Sequence, residues 1–276
     1  MADDFQSAPL PLPPAAPVTA GQRALANGAK LWVWDTGGEG AVVLLAHPAS
    51  GNHASWGYQQ PVLAAAGYRV IGYSRRGYAG SDIGPADDPG SQAGDIAALL
   101  DVLGVDRAHV LGSAAGGSTA LDFALAYPGR TRSAIIASSL MSIQEPDYQA
   151  ASSRARGPWF DGLPVDAREL SPSYRAGCPD GAAAWMDINA LNTSGAPKQP
   201  LMSSITWTTL GAMTVPALLL TGDADLYMPP AVLRTIAKRM PHAECRIAQD
   251  VGHPIFWEQP DWFNATILDF LARNPG

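Results

Sequence analysis

Short apolar runs alternate with longer helix-like stretches along most of this chain, and that alternation restricts the fold more than any other feature. The runs lie at Lys30 to Trp34, Ala41 to Ala46, Arg69 to Tyr73, His109 to Gly112, Ser133 to Ser138, Ala217 to Thr221 and Glu244 to Ala248. Helical patterns fall between and after them, at Trp56 to Ala66, Gln92 to Leu103, Gly117 to Tyr127, Ala231 to Met240 and Asp261 to Ala272. Continuous apolar strands separated by helices predict an α/β fold with a mostly parallel central sheet and helices on both faces. The alternation breaks once: residues 141–210 carry scattered prolines and aromatics and no clean strand. An insertion there would hang over the C-terminal edge of the sheet, where open α/β sheets place their sites. We therefore divide the chain into a core, residues 21–140 and 211–276, and a helical cap, residues 141–210.

The first 20 residues stand apart, because the run Ala8-Pro9-Leu10-Pro11-Leu12-Pro13-Pro14-Ala15-Ala16-Pro17 is too rich in proline to pair or coil. A flexible, extended arm is expected. A net charge of -7 supplies no basic field for nucleic acid or anionic lipid, so the expected partner is a small-molecule substrate, with the chain a monomer or homodimer. Cys178 and Cys245 match neither a disulfide framework nor a zinc spacing, and the start Met1-Ala2-Asp3-Asp4 is acidic where a signal peptide is basic. Both observations, with no apolar run long enough for a membrane span, point to a cytoplasmic protein with free thiols and no metal.

Chemistry is concentrated at the ends of the predicted strands. The run Val110-Leu111-Gly112-Ser113-Ala114-Ala115-Gly116-Gly117 has the form Gly-x-Nu-x-Gly of a strand-turn-helix elbow, with Ala114 in the nucleophile position where serine is expected. Ser113 is one residue early, and strand alternation turns it away from the site. In chain order, His47-Pro48-Ala49-Ser50-Gly51-Asn52 and the run Tyr73-Ser74-Arg75-Arg76-Gly77-Tyr78-Ala79-Gly80-Ser81-Asp82 precede this elbow, and Gly222-Asp223-Ala224-Asp225 and Gly252-His253-Pro254-Ile255-Phe256-Trp257-Glu258-Gln259-Pro260 follow it. Each follows a predicted strand.

These segments, in this order, resemble the α/β-hydrolase superfamily from about Gln22 to Arg273. The resemblance implies an α/β-hydrolase fold in which His253 is the general base and Asp225 the acid that fixes its tautomer. It also implies an oxyanion hole made by the backbone N–H groups of Ala49 and Ala115. The 47–52 loop is similar to the family's His-Gly-x-x-Gly with proline in second place, and the 73–82 run to its Asp-x-Arg-Gly-x-Gly-x-Ser, with Ser74 and Ala79 departing from it. We take that second motif as structural and His47 as a loop organiser. His109 and His242 read as surface or capping groups, and His53 is ambiguous.

Three explanations compete for Ala114. Either a serine has been exchanged for alanine in a working triad, or the Asp225-His253 dyad acts as a base alone, as in a lyase or cofactor-free oxygenase, or the chain is a non-catalytic binding protein. The first leads to a serine hydrolase of carboxylic esters, including monoesters, working through an acyl-enzyme without cofactors. Carbon-carbon hydrolysis of ring-cleavage diketones is the rival chemistry, whereas epoxide hydrolases and haloalkane dehalogenases carry aspartate at the elbow. Ser50 and the cap aromatics Trp159, Trp185 and Trp207 are expected to contact an apolar or aromatic substrate portion, alongside Phe160 and Tyr174. Arg154, Arg156 and Arg175 are either partners for a substrate carboxylate or solvated surface charges.

Overall fold

In the computed structural model, which describes residues 9–85, 87–192 and 195–276, eight strands form one sheet. They are β1 (Thr19–Ala24), β2 (Lys30–Asp35), β3 (Val42–Ala46), β4 (Arg69–Tyr73), β5 (Ala108–Ser113), β6 (Thr131–Ala137), β7 (Ala217–Gly222) and β8 (Ala243–Ala248). The spatial order is β1-β2-β4-β3-β5-β6-β7-β8; the β1-β2 and β2-β4 pairs are antiparallel and every other pair is parallel. Every residue of β3, β5 and β7 is buried, as strands covered on both faces require. Alternate side chains enter different cores. Leu45, Leu111, Leu218 and Leu220 pack with Phe256, Phe263 and Phe270, while Leu44, Ala46 and Val110 meet Ile96, Leu100 and Phe123.

Helices α1 (Gln60–Ala65), α2 (Gln92–Val102) and α3 (Ala115–Ala126) join the first six strands. Five more lie between β6 and β7: α4 (Pro146–Arg156), α5 (Val165–Glu169), α6 (Pro172–Gly177), α7 (Pro179–Ala190) and α8 (Trp207–Ala212). Then α9 (Pro230–Ala237) leads to β8, and α10 (Ile255–Glu258) and α11 (Pro260–Arg273) close the chain. Among the described residues no helix is long and apolar enough to cross a membrane.

Three readings of the sequence need correction. The arm was drawn through residue 20, but Thr19 and Ala20 already pair with Asp35 and Trp34 in β1. Residues ahead of β1 dock on the core too, the Leu10 carbonyl accepting from the Tyr58 hydroxyl at 2.6 Å and the Ala16 carbonyl from Gln60 Nε2 at 2.8 Å. Proline's lost donors are no obstacle there, since the N–H that is used, donating to Gln60 Oε1 at 3.0 Å, belongs to Ala16. His109 is neither exposed nor a cap; it is fully buried in β5, its Nδ1 2.8 Å from Ser133 Oγ, and burial pushes its pKa down to about 4.

Candidate active site

The elbow is built by backbone-to-backbone packing. A Cβ on Gly112 would lie 2.0 Å from the Gly116 carbonyl oxygen, and one on Gly116 would lie 2.0 Å from that of Ala46. Only glycine lets the end of β5, the start of α3 and the end of β3 approach so closely. Between them Ala114 is held at φ 52, ψ -113, its N–H donating to the Ala137 carbonyl at 2.9 Å. That backbone conformation is unusual for alanine, and such strain concentrates at functional sites.

Beside Ala114 lies a cavity of about 290 Å³, lined by Ala49, Ser50, Ala114, Ala115, Ser118, Ser138, Leu140, Ser142, Glu169, Tyr227 and His253. Among the described residues, no acceptor takes the N–H of Ala49 or Ala115. The loop bearing Ala49 is fixed by His47, whose Nδ1 lies 2.7 Å from the Pro48 carbonyl and whose Nε2 accepts from the Arg75 N–H at 3.0 Å. A carbonyl can only accept, so the proton sits on Nδ1 and the ring is neutral. Burial, then the nearby Arg75 charge, holds the His47 pKa well below the ordinary value.

Asp225 and His253 come from the turns that follow β7 and β8. His253 Nδ1 lies 3.0 and 2.9 Å from the two Asp225 carboxylate oxygens. One of these oxygens also accepts the N–H groups of Tyr227 and Met228, at 2.8 and 3.0 Å, and the other accepts from Thr221 Oγ1 at 3.2 Å. Burial alone would raise the Asp225 pKa, but the His253 charge and these hydrogen bonds outweigh it and hold it below the ordinary value. For His253 burial acts downward, and the carboxylates of Asp225, Glu169 and Glu258 reverse it, leaving the pKa raised. The Tyr227 ring lies over the imidazole, with centroids 4.3 Å apart. With Nδ1 committed to Asp225, Nε2 is the nitrogen left for chemistry.

A second carboxylate ties this loop to the segment between β6 and β7. Glu258 accepts the N–H of Ser171 at 2.9 Å and of Gly252 at 3.1 Å, while the His253 N–H donates to the Glu169 carbonyl at 2.6 Å. Burial drives the Glu258 pKa up to about 7 against the downward pull of those amides.

The site the sequence outlined is therefore assembled in one place: Ala49, Ser50, Ala114, Ala115 and His253 line the cavity, with Asp225 behind the imidazole. The cap aromatics are not there. Trp159 is exposed, Trp185 is buried beneath the site with its Nε1 donating to Glu169 Oε2 at 2.9 Å, and Trp207 packs on Tyr148 and under Arg239. Apolar surface drew Trp185 into the core and Trp207 against Tyr148, while Trp159 stays at the surface, so none lines the cavity. Neither do Arg154, Arg156 or Arg175. Unforeseen members are Ser118, Ser138, Leu140, Ser142, Glu169 and Tyr227. Glu258 lay inside the quoted run after His253, and only its burial reveals a role.

The motif at 73–82 ties loops together. Arg76 makes a buried ion pair with Asp95 at 2.7 Å, and Ser74 Oγ accepts the His53 N–H at 3.1 Å.

The sequence pattern of the Alpha/beta hydrolase family matches residues 43–266, which holds both ends of the sheet edge just described. The chain belongs to the alpha/beta hydrolase family. Among curated relatives, this hydrolase is 28% identical over 260 residues to 2-hydroxy-6-oxononadienedioate/2-hydroxy-6-oxononatrienedioate hydrolase 1 of Dechloromonas aromatica (strain RCB), covering 87% of this chain and 89% of the relative. It is 27% identical over 264 residues to the 2-hydroxy-6-oxo-6-phenylhexa-2,4-dienoate hydrolase of Burkholderia cepacia, covering 86% and 89%. Its fold is similar to that of a thermophilic esterase from Thermogutta terrifontis, with TM-score 0.74 and 23% identity over 92% of this chain and 98% of that one. Est816, described as an N-acyl homoserine lactone degrading enzyme, aligns with TM-score 0.72 and 26% identity over 91% and 100%.

Proposed function

We propose that this alpha/beta hydrolase is built for acyl transfer on carboxylic esters with an apolar or aromatic portion, with position 114 as the nucleophile position. The observation that carries the reading is the His253-Asp225 pair in the same cavity as Ala114 and the unengaged N–H groups of Ala49 and Ala115. With serine at 114, His253 Nε2 takes the hydroxyl proton as Oγ attacks the carbonyl carbon, and the N–H pair holds the oxyanion. His253 then protonates the leaving alcohol, and water, deprotonated by the same nitrogen, releases the acid. With alanine at 114 that route is closed, and the chain binds substrate without an acyl-enzyme at this position. The segment 141–210 acts as a cap, contributing Glu169 and Ser142 to the cavity wall. Cys178 and Cys245 are both free thiols, which fits a cytoplasmic setting.

A second reading, hydrolysis of a carbon-carbon bond in ring-cleavage diketones, is favoured by the relatives from Dechloromonas aromatica and Burkholderia cepacia, whose names state hydrolases of 2-hydroxy-6-oxo dienoates, compounds with no ester bond to cleave. It would use the same three positions. The test is a panel of aryl and alkyl esters and vinylogous diketones offered to the Ala114→Ser protein. Ester turnover supports the first reading, diketone turnover alone the second, and hydrolysis of no member refutes both.

A further inference from the structure

Ser138 directly follows β6, and no motif announced it. The registers place it: Ser113 of β5 pairs with Ala137 of β6, so Ala114 and Ser138 are neighbours one strand apart at the C-terminal edge. Adjacent strands lie about 4.8 Å apart. Because β6 lies between β5 and β7, Ser138 sits on the path from Ala114 to the turn carrying Asp225, the side from which His253 reaches over the sheet.

Three properties single the residue out. Its backbone is at φ 50, a left-handed conformation that serine adopts at a cost of about 1–3 kcal/mol unless the surroundings impose it. Here the Ser138 N–H is pinned to the Leu220 carbonyl at 2.7 Å. The side chain is 1% exposed and lines the cavity that holds His253, Ala49 and Ala115. Its hydroxyl has no hydrogen-bond partner among the described residues. A buried hydroxyl without a partner costs about 1–3 kcal/mol, so one that persists at a cavity wall needs a reason. Of the neighbouring serines, Ser113 also has an unpartnered hydroxyl but does not line the cavity, and Ser139 Oγ accepts the Met141 N–H at 3.0 Å and lies 3.3 Å from Ser118 Oγ.

We infer that Ser138 is a displaced nucleophile, one strand over from the vacant elbow position and served by the same His253. The inference rests on the reading of His253 as general base, and it goes beyond it by assigning covalent chemistry to the chain with alanine at 114. In the first step the Ser138 Oγ–H proton passes to His253 Nε2 while Oγ bonds to the acyl carbon of an ester, whose carbonyl electron pair moves onto oxygen. The tetrahedral adduct expels the alkoxide, which takes the proton from His253 and leaves as alcohol. Water then gives a proton to His253 and attacks the acyl carbon; the acid departs as Oγ leaves and recovers its proton. The oxyanion donors were set for residue 114, so turnover from Ser138 is slow. Losing one such donor costs roughly 10²–10³-fold.

An alkyl fluorophosphonate tests this without knowledge of the substrate. Attack by Oγ on phosphorus displaces fluoride, the serine proton leaves with it through His253, and a stable phosphonyl-serine remains. The unaltered chain is treated with the probe, digested, and the modified residue located by fragment-ion mass spectrometry. The Ala114→Ser protein is treated in parallel. A phosphonyl group on residue 138 of the unaltered chain is expected, with labelling slowed roughly 10²–10⁴-fold in His253→Asn, as loss of a general base requires. It should vanish in Ser138→Ala, whose folding is checked by near-ultraviolet circular dichroism. Modification of Ser118, Ser139 or Ser142 instead would overturn the assignment. Label at position 114 of Ala114→Ser with none on the unaltered chain overturns this inference alone and leaves the proposed function standing. No label on either protein overturns both. The readout on the unaltered chain needs no variant, so a misfolded mutant cannot rescue the idea.

Discussion

Replacing Glu258 by glutamine should make the protein's stability less sensitive to pH, and the size of the change follows from the structure. The Glu258 carboxylate is buried, accepts the amides of Ser171 and Gly252, and has its pKa raised from 4.5 to about 7. A raised carboxyl pKa means that the folded state binds the proton more tightly than the unfolded one. Its contribution is therefore full below pH about 4.5 and is lost as pH rises through about 7. At about 1.4 kcal/mol per pKa unit, the loss amounts to about 3 kcal/mol. Glutamine does not titrate, yet its amide nitrogen cannot accept, so one of the two backbone N–H groups loses its partner at a cost of about 1–3 kcal/mol. At about pH 4.5 the variant should thus be the less stable protein by that amount. By about pH 8 the difference should have moved about 3 kcal/mol in the variant's favour. Urea unfolding of both proteins across that range measures it, because groups titrating alike in the two chains cancel in the difference. A difference that stays constant within about 0.5 kcal/mol from pH 4.5 to 8 would refute the reasoning.

Other expectations follow from the same geometry. In the Ala114→Ser protein the acid limb of kcat/KM should lie above pH 6.5, since the raised His253 pKa keeps the imidazole protonated to higher pH than an ordinary histidine; a limb below 6.5 would contradict the role given to Asp225. Gly252→Ala should destabilise the fold by about 3 kcal/mol in chemical unfolding, because the new Cβ would lie 2.4 Å from the Glu169 carbonyl oxygen and 2.5 Å from the Ser171 nitrogen. Ala114→Gly should stabilise by about 1 kcal/mol, strain relief at φ 52 exceeding glycine's entropic cost; a loss of stability would show that the elbow turn is relaxed.

The core strands were legible because burial on both faces writes itself as continuous apolar sequence; Arg69–Tyr73 is found with the boundaries read from the residues. β1 was not. Its sequence, Thr-Ala-Gly-Gln-Arg-Ala, lies at a half-solvated edge where little apolar surface is required, so the alternation that marks a strand never develops. The pairing of Asp225 with His253 was legible through the resemblance to the family, carried at the ends of strands by Gly222-Asp223-Ala224-Asp225 and Gly252-His253. Glu169 and Ser138 carried no such signal: one sits in a short helix of the insertion, and the other follows a strand whose register is set by its neighbours. The tryptophans misled for a physical reason, since a large apolar ring is as well satisfied by a core as by a pocket.

The contacts made by Glu258 and by the His253 amide reach from the turn after β8 to residues 169–171, which for Glu258 and Ser171 is a separation of 87 positions. Segments joined in this way have to be exchanged together. A chimera that imports a relative's insertion between β6 and β7 while keeping this chain's β8 turn would leave a buried carboxylate facing unfamiliar backbone beside the imidazole. Redesign of what the cavity accepts is therefore better started from Leu140 and Ser142, lining residues outside that seam, so that the contacts beside His253 are left intact.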